Sequence, residues 1–280
     1  MSYLDAVLLG LLQGITEFLP ISSSGHLVLG EAVLGVKSSG MVFEVALHLA
    51  TAGAVILAYR KRLRGMLTAL PLMFRPRLWK KAAADSTLSP VLRENLILDW
   101  YILLGTLPAA AAGLLFKDLV ESAFSSVRLV CLMLMVTGMI LLSSRFARKD
   151  NHRGLSGSRS LGVGLAQAVA LIPGISRSGT TITAGLLLGL APVRAAEFSF
   201  LLALPAIFGA ALLEALSLGS STFTSLPGAG PLAAGVAAAF FSGFAAIYLL
   251  LRILQKGRFN HFAYYCLAVG LAGWLASRAL

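Results

Sequence analysis

An all-α, polytopic membrane fold built as an inverted-topology repeat is what this sequence predicts, and three observations carry the prediction. Of 280 residues, 58% are hydrophobic and only 12% charged, with a mean hydropathy of +0.85; a soluble globular chain carries roughly 25% charged residues. The apolar residues gather into runs close to the length of about 20 that a helix needs to cross a bilayer. Two further apolar segments are interrupted at their centres by polar loops, and these two resemble each other.

The first element is a broken segment over 4–36, interrupted by Pro20-Ile21-Ser22-Ser23-Ser24-Gly25-His26. Uninterrupted apolar runs follow at 42–59, 98–116 and 127–144. A second broken segment covers 161–190, interrupted by Pro173-Gly174-Ile175-Ser176-Arg177-Ser178-Gly179, and runs at 196–217, 231–254 and 262–277 complete the series. Each flank of a broken segment is about 10 to 16 residues, short for a full crossing. Both therefore read as re-entrant helix–loop–helix hairpins, because irregular backbone survives at membrane depth only where protein or a watery cavity lines it. The expectation is one integral membrane domain over 1–280, with about six transmembrane helices beside the two hairpins.

Shifting the first hairpin by 154 residues places Gln13 on Gln167, Ile21 on Ile175, Ser22 on Ser176, Ser24 on Ser178 and Gly25 on Gly179. A glutamate opens the next span in each half, Glu44 and Glu197. This internal repeat divides the chain into halves of about 1–144 and about 160–280.

The net charge of +11 comes from Lys and Arg crowded between apolar runs: nine over 60–97, five over 145–159 and three over 252–258. Such clusters mark cytoplasmic loops, here about 60–97 and about 145–160, beside an anionic leaflet. No basic face carries interleaved aromatics, so nucleic-acid binding is not expected. With those loops inside, the first hairpin enters from outside, the second from inside, both chain ends lie outside, and the loop 218–230 holds no Lys or Arg. Halves of opposite topology with broken helices meeting near the midplane are an architecture known from transporters. Met1-Ser2-Tyr3-Leu4-Asp5 has no basic n-region, so no removable signal peptide is expected. Cys131 and Cys266 are single and sit in apolar runs, as small core hydrophobes do.

The polar loops carry the chemistry. Gln13 and Glu17, spaced i, i+4, share one helix face. Glu17 has an ordinary reading as a helix-end acid near the interface, but an ionisable group in a membrane segment costs roughly 2.5–3.5 kcal/mol on insertion scales, which makes it a functional candidate. Ser22, Ser23 and His26 follow; hydroxyl, imidazole and carboxylate are the parts of an activated nucleophile. Arg177 stands between two serines, and its planar fork suits phosphate oxygens; the competing reading is an arginine snorkelling to an interface. Both Ser-x-Ser-Gly segments precede a resumed helix, whose free N–H groups and dipole favour an anion. Ser24, Gly25, Ser176, Arg177, Ser178 and Gly179 are thus expected to bind phosphate. The substrate class this chemistry suggests is a phosphorylated lipid or a membrane-permeating anion.

Gln13-x-x-x-Glu17, the Pro20–His26 loop, Pro173–Gly179 and Glu197-Phe198-Ser199-Phe200-Leu201-Leu202 together closely resemble the undecaprenyl-diphosphate phosphatase family, the bacitracin-resistance phosphatases, over nearly the whole chain. The resemblance implies a bacterial inner-membrane enzyme that cleaves the diphosphate of the C55 lipid carrier to the monophosphate and inorganic phosphate. It also implies a site open to the external, periplasmic face and a divalent cation, Mg²⁺ or Ca²⁺. By position, Glu17 and Gln13 match the family's Glu/Gln-x-x-x-Glu pair and would serve the metal, Ser22 and Ser23 its loop serines, His26 its histidine and Arg177 its arginine. Position 13 is Gln, which the motif allows, and Ser24 stands where Thr is often expected. Arg177 and the loop amides would clamp the diphosphate. Ser23 or Ser22 would attack with His26 moving the proton, or water activated by His26 or Glu17 would attack directly. The rival reading is a transporter or flippase of a phosphorylated lipid or anion; a structural scaffold leaves Glu17 and Arg177 unexplained. Gly243, Ala245 and Ala246 offer a small-residue seam for close helix packing, in a homodimer among other arrangements.

Overall fold

Backbone that lies in lipid has no water to bond, so it must close its hydrogen bonds internally, and a helix does so within one segment. The computed structural model describes residues 1–35, 41–73, 89–147, 153–217 and 228–277, and these are helical with no strand among them. The helices are α1 (Tyr3–Phe18), α2 (Ser23–Leu34), α3 (Met41–Ala58), α4 (Arg60–Met73), α5 (Pro90–Leu115), α6 (Lys117–Phe124), α7 (Val127–Ser143), α8 (Gly157–Val169), α9 (Arg177–Leu187), α10 (Pro192–Ser217), α11 (Ala229–Gln255) and α12 (His261–Ala276). Four of them, α5, α7, α10 and α11, are long and apolar enough to cross a membrane. The protein is a multi-pass, all-α membrane protein.

Six apolar helices stand where the six spans are expected, but the edges differ. α5 begins at Pro90, capped by Ser89, and α10 at Pro192; proline is suited to a helix start, where its missing N–H is not needed. The starts of both helices, with Glu94 and Arg194, fall outside the expected runs at 98–116 and 196–217 because these charges have no visible partner in the sequence. In the fold they pair: Arg62 reaches Glu94 at 2.7 Å and Glu197 at 3.3 Å, and Arg194 reaches Glu94 at 3.1 Å and Glu197 at 3.3 Å.

Within the basic stretch expected as a loop over about 60–97, the described residues are almost all helical, in α4 and the start of α5. α4 leaves α3 at a bend of 88° and buries Met66, Ala69 and Met73, the latter two packed with Leu96 of α5. A basic amphipathic helix carries the same charge count as a loop, so counting alone does not separate them. Residues 74–88 and 148–152, and most of the expected loop 218–230, lie outside the described residues.

Both hairpins are present, with breaks at 19–22 and 170–176. These are displaced towards the N-terminus from the expected interruptions, because Ser22 and Ser176 are helix caps and everything after them is already first turn. The two halves repeat the same devices. α2 ends on Gly35 at φ 65, and Gly189, 154 residues on, closes the turn after α9 at φ 90; both are left-handed positions that favour glycine. α1 packs on α11 and α8 packs on α5. At the first crossing a methyl on Gly10 would strike the Gly235 carbonyl, and at the second a methyl on Gly164 would strike that of Gly105. Each hairpin thus lies against a long helix of the other half, at a backbone approach only small residues allow.

Small residues on α11 serve the same contact. Gly243 faces Phe18 and Gly14 of α1, and Ala246 is buried in the core, so their close packing is within the chain. Phe18 also meets Phe200 of α10 edge-on at 5.3 Å, which fixes the end of α1 one residue beyond Glu17. Cys131 and Cys266 are free and buried, as expected.

Candidate active site

The site begins with how each broken helix restarts. Ser22 caps α2 by accepting from the Gly25 amide at 3.2 Å, and Ser176 caps α9 by accepting from Gly179 at 3.1 Å. Ser22 does so at φ 70, the one non-glycine residue with positive φ among the described residues, a conformation that costs of order 1–3 kcal/mol and persists only when its surroundings enforce it. The loops also hold each other. The Gly174 amide donates to Ser24 Oγ at 3.4 Å, and Ser178 Oγ donates to the Leu19 carbonyl at 3.3 Å. Thr137 of α7 braces the second loop by donating to the Gly174 carbonyl at 2.9 Å and accepting from the Ser176 amide at 3.0 Å.

This bracing brings Glu17 and Arg177 into an ion pair, with Arg177 Nη2 donating to Glu17 Oε1. The other carboxylate oxygen, Oε2, accepts from Ser23 Oγ at 2.6 Å and from Gln13 Nε2 at 3.1 Å. Gln13 Nε2 also lies 2.7 Å from His48 Nδ1 on α3. Glu17 is only 6% exposed and Gln13 fully buried. A pair this deep has lost its hydration, so deleting either partner strands a charge at a cost of about 3–5 kcal/mol. Arg177 Nη1 and Gln13 Oε1 are buried without a hydrogen-bond partner in the protein: a spare cationic donor and a spare oxygen acceptor flank the Glu17 carboxylate.

Of the residues singled out in the sequence, Gln13, Glu17, Ser23 and Arg177 form one bonded cluster. His26 belongs to the same turn but bonds elsewhere: Nδ1 lies 2.8 Å from the Ser22 carbonyl and Nε2 2.8 Å from the Tyr265 hydroxyl of α12. The Ser22 and Ser176 hydroxyls act as caps, and the Gly25 and Gly179 amides are spent on them. The first-turn amides of Ser23, Ser24, Arg177 and Ser178 are the donors each helix start leaves over. His48, Tyr265 and Thr137 escaped the sequence reading. His48 alone carries a signal there, as an ionisable side chain inside an apolar span; Tyr265 and Thr137 look like ordinary span residues.

A separate cavity of about 270 Å³ between α4, α5 and α10 is lined by Arg62, Glu94, Tyr101, Arg153, Arg194 and Glu197 among others. Arg62 and Arg194 are already neutralised there by Glu94 and Glu197. The cluster at Glu17 joins a hydroxyl, a carboxylate and a guanidinium with a donor to spare, a set suited to holding a phosphate and moving one proton.

Comparison with known proteins agrees with this chemistry. The family model described as bacitracin resistance protein BacA matches residues 6–272. Proteins named undecaprenyl-diphosphatase are similar over almost their whole length. The one from Syntrophotalea carbinolica is 41% identical, covering 96% of this chain and 97% of its own. That from Desulfosudis oleivorans is 42% identical, covering 99% and 100%, and that from Methanobrevibacter smithii 40%, covering 99% and 98%. A match of this extent means that the chain belongs to the bacitracin resistance protein BacA family.

Proposed function

We propose that this protein is an undecaprenyl-diphosphatase of the bacterial inner membrane. It hydrolyses undecaprenyl diphosphate to undecaprenyl phosphate and inorganic phosphate, returning the lipid carrier to cell-wall synthesis and conferring bacitracin resistance. The observation that carries the reading is the Ser23–Glu17–Arg177 cluster where the two broken helices meet, together with the name its full-length relatives share.

Phosphoryl transfer asks for positioning and charge stabilisation more than for covalent chemistry. Arg177, with Nη1 free, and the first-turn amides of α2 and α9 hold the oxygens of the diphosphate. Ser23 Oγ attacks the terminal phosphorus and its proton passes to Glu17 Oε2, 2.6 Å away. The bond from that phosphorus to the bridging oxygen breaks, and undecaprenyl phosphate leaves with the electron pair. Water then hydrolyses the phosphoserine, giving inorganic phosphate and restoring the hydroxyl. Proton transfer to Glu17 replaces the role the sequence reading offered to His26, whose ring nitrogens bond away from Ser23.

The residues fit a divalent cation, Mg²⁺ or Ca²⁺, carried mainly by the substrate. No cluster of three or more His, Cys, Asp or Glu able to hold a metal exists among the described residues, but the orphaned Gln13 Oε1 and the Glu17 carboxylate offer oxygen donors of the type such ions take. The cation would neutralise charge on the phosphate oxygens. The basic clusters support cytoplasmic placement of α4 and of the 145–160 stretch, which puts the first hairpin and Ser23 on the periplasmic side. The isoprenoid tail lies along apolar helix faces.

The test is phosphate release from undecaprenyl diphosphate by detergent-purified protein, with the lipid product identified by mass. Stoichiometric undecaprenyl phosphate supports the reading. Lipid flux across vesicles without hydrolysis replaces it with the transporter.

A further inference from the structure

We infer that His26 and Tyr265 are positioning residues that lock the Ser22 turn, and through it hold the Ser23 hydroxyl on Glu17. The inference rests on the phosphatase reading for its kinetic arm only.

A carbonyl oxygen can only accept, so the 2.8 Å contact between His26 Nδ1 and the Ser22 carbonyl places the ring proton on Nδ1. In the neutral ring Nε2 is then an acceptor, and the Tyr265 hydroxyl donates to it at 2.8 Å. The two rings lie nearly parallel, 9° apart with centroids at 5.6 Å. Both imidazole nitrogens are thus engaged inside the protein, while the Ser23 hydroxyl donates to Glu17 instead. The carbonyl that His26 holds belongs to Ser22, the residue at φ 70. A strained turn needs an outside hold, and this one is the direct neighbour of the attacking hydroxyl.

The hold is anchored in α12, whose Tyr265 lies 239 residues from His26 in the chain. The next residue, Cys266, contacts the Pro20 carbonyl through Sγ at 3.7 Å, so α12 grips the first loop on both sides of Ser22. α7, packed on α12, grips the second loop through Thr137. The last span of each half therefore fixes one of the two loops.

The experiment uses the full chain in detergent. In His26→Asn the amide N–H can replace Nδ1 as donor to the Ser22 carbonyl but cannot take up a proton. The expected result is that His26→Asn keeps kcat within about tenfold of the unsubstituted protein while His26→Ala falls much further. Equal losses of about 10²–10⁴-fold in both variants, the range for removing a general acid or base, overturn the proposal. The second measurement is the ¹⁵N spectrum of the imidazoles, with His26 assigned by its absence in His26→Asn. A neutral ring protonated at Nδ1, whose Nε2 signal moves in Tyr265→Phe, supports the proposal; a ring protonated at Nε2 overturns it. This spectrum needs no substrate, so it stands even if undecaprenyl diphosphate is not hydrolysed.

Discussion

Arg177 donates to Oε1 of Glu17 across 160 residues of sequence, joining the restart of the second broken helix to the end of the first. The two residues are not equivalents in the repeat: the 154-residue shift places Glu17 on Leu171 and Ser23 on Arg177. The caps, turns and close glycine crossings obey the repeat, while the carboxylate, the attacking hydroxyl and the guanidinium sit where it is broken. One meeting point of two similar hairpins thereby gains a carboxylate and a hydroxyl from one side and a guanidinium from the other.

Ser22 and Ser23 are adjacent and chemically alike, yet they should respond oppositely to substitution. Ser23→Ala removes the hydroxyl that faces Glu17, and kcat should fall by at least about 10³-fold, on the scale of losing a nucleophile. Ser22→Gly removes a cap, which costs a few tenths of a kcal/mol when the replacement is glycine, and it relieves a positive φ. Its activity should stay within about tenfold of the unsubstituted enzyme, with thermal stability nearly unchanged. Steady-state kinetics and a melting curve on each variant check this.

The paired crossings predict paired penalties. Gly10→Val should push α1 off α11, and Gly164→Val should push α8 off α5, because the clashing atom in each case is a backbone carbonyl that cannot swing away. Overpacking of this kind costs roughly 1–3 kcal/mol or more. Comparable losses of melting temperature in detergent are expected for both. A neutral result for one of them would mean the two crossings do not share a packing role.

If Gln13 lies beside the metal, its substitution should shift the metal requirement. Gln13→Glu adds a second carboxylate beside Glu17 in place of the orphaned amide oxygen, so the Mg²⁺ concentration giving half-maximal activity should drop several-fold. The Gln13 donation to His48 and to Glu17 is lost at the same time, and kcat should fall modestly. Metal titration after EDTA treatment separates the two effects. An unchanged Mg²⁺ requirement would remove Gln13 from the metal's surroundings.

Much of this was legible in the sequence because lipid leaves the chain few options. Two polar interruptions in apolar segments too short to cross alone had to be hairpins, and Glu17 and Arg177, costly where they lie, had to be paired or functional. Their pairing with each other was not legible, since nothing local links residues 160 apart. α4 was hidden because a basic amphipathic helix and a basic loop give the same charge count. Glu94 and Arg194 lie outside the expected spans, and only the fold closes them into a ring with Glu197 and Arg62. Tyr265 and Thr137 had no sequence signal, because each acts through bonds to a loop that only the tertiary fold brings near.

The most direct test of the central claim is inorganic phosphate release from undecaprenyl diphosphate by purified Arg177→Ala beside the unsubstituted protein, with and without EDTA, both shown to be folded. Loss of at least about 10³-fold in kcat/KM in the variant is expected, as for removal of an arginine that stabilises a transferring phosphoryl group, together with activity in the unsubstituted protein that EDTA abolishes. Near-normal turnover by Arg177→Ala would contradict the account, because the meeting of Arg177 with Glu17 would then not be where the diphosphate is cleaved.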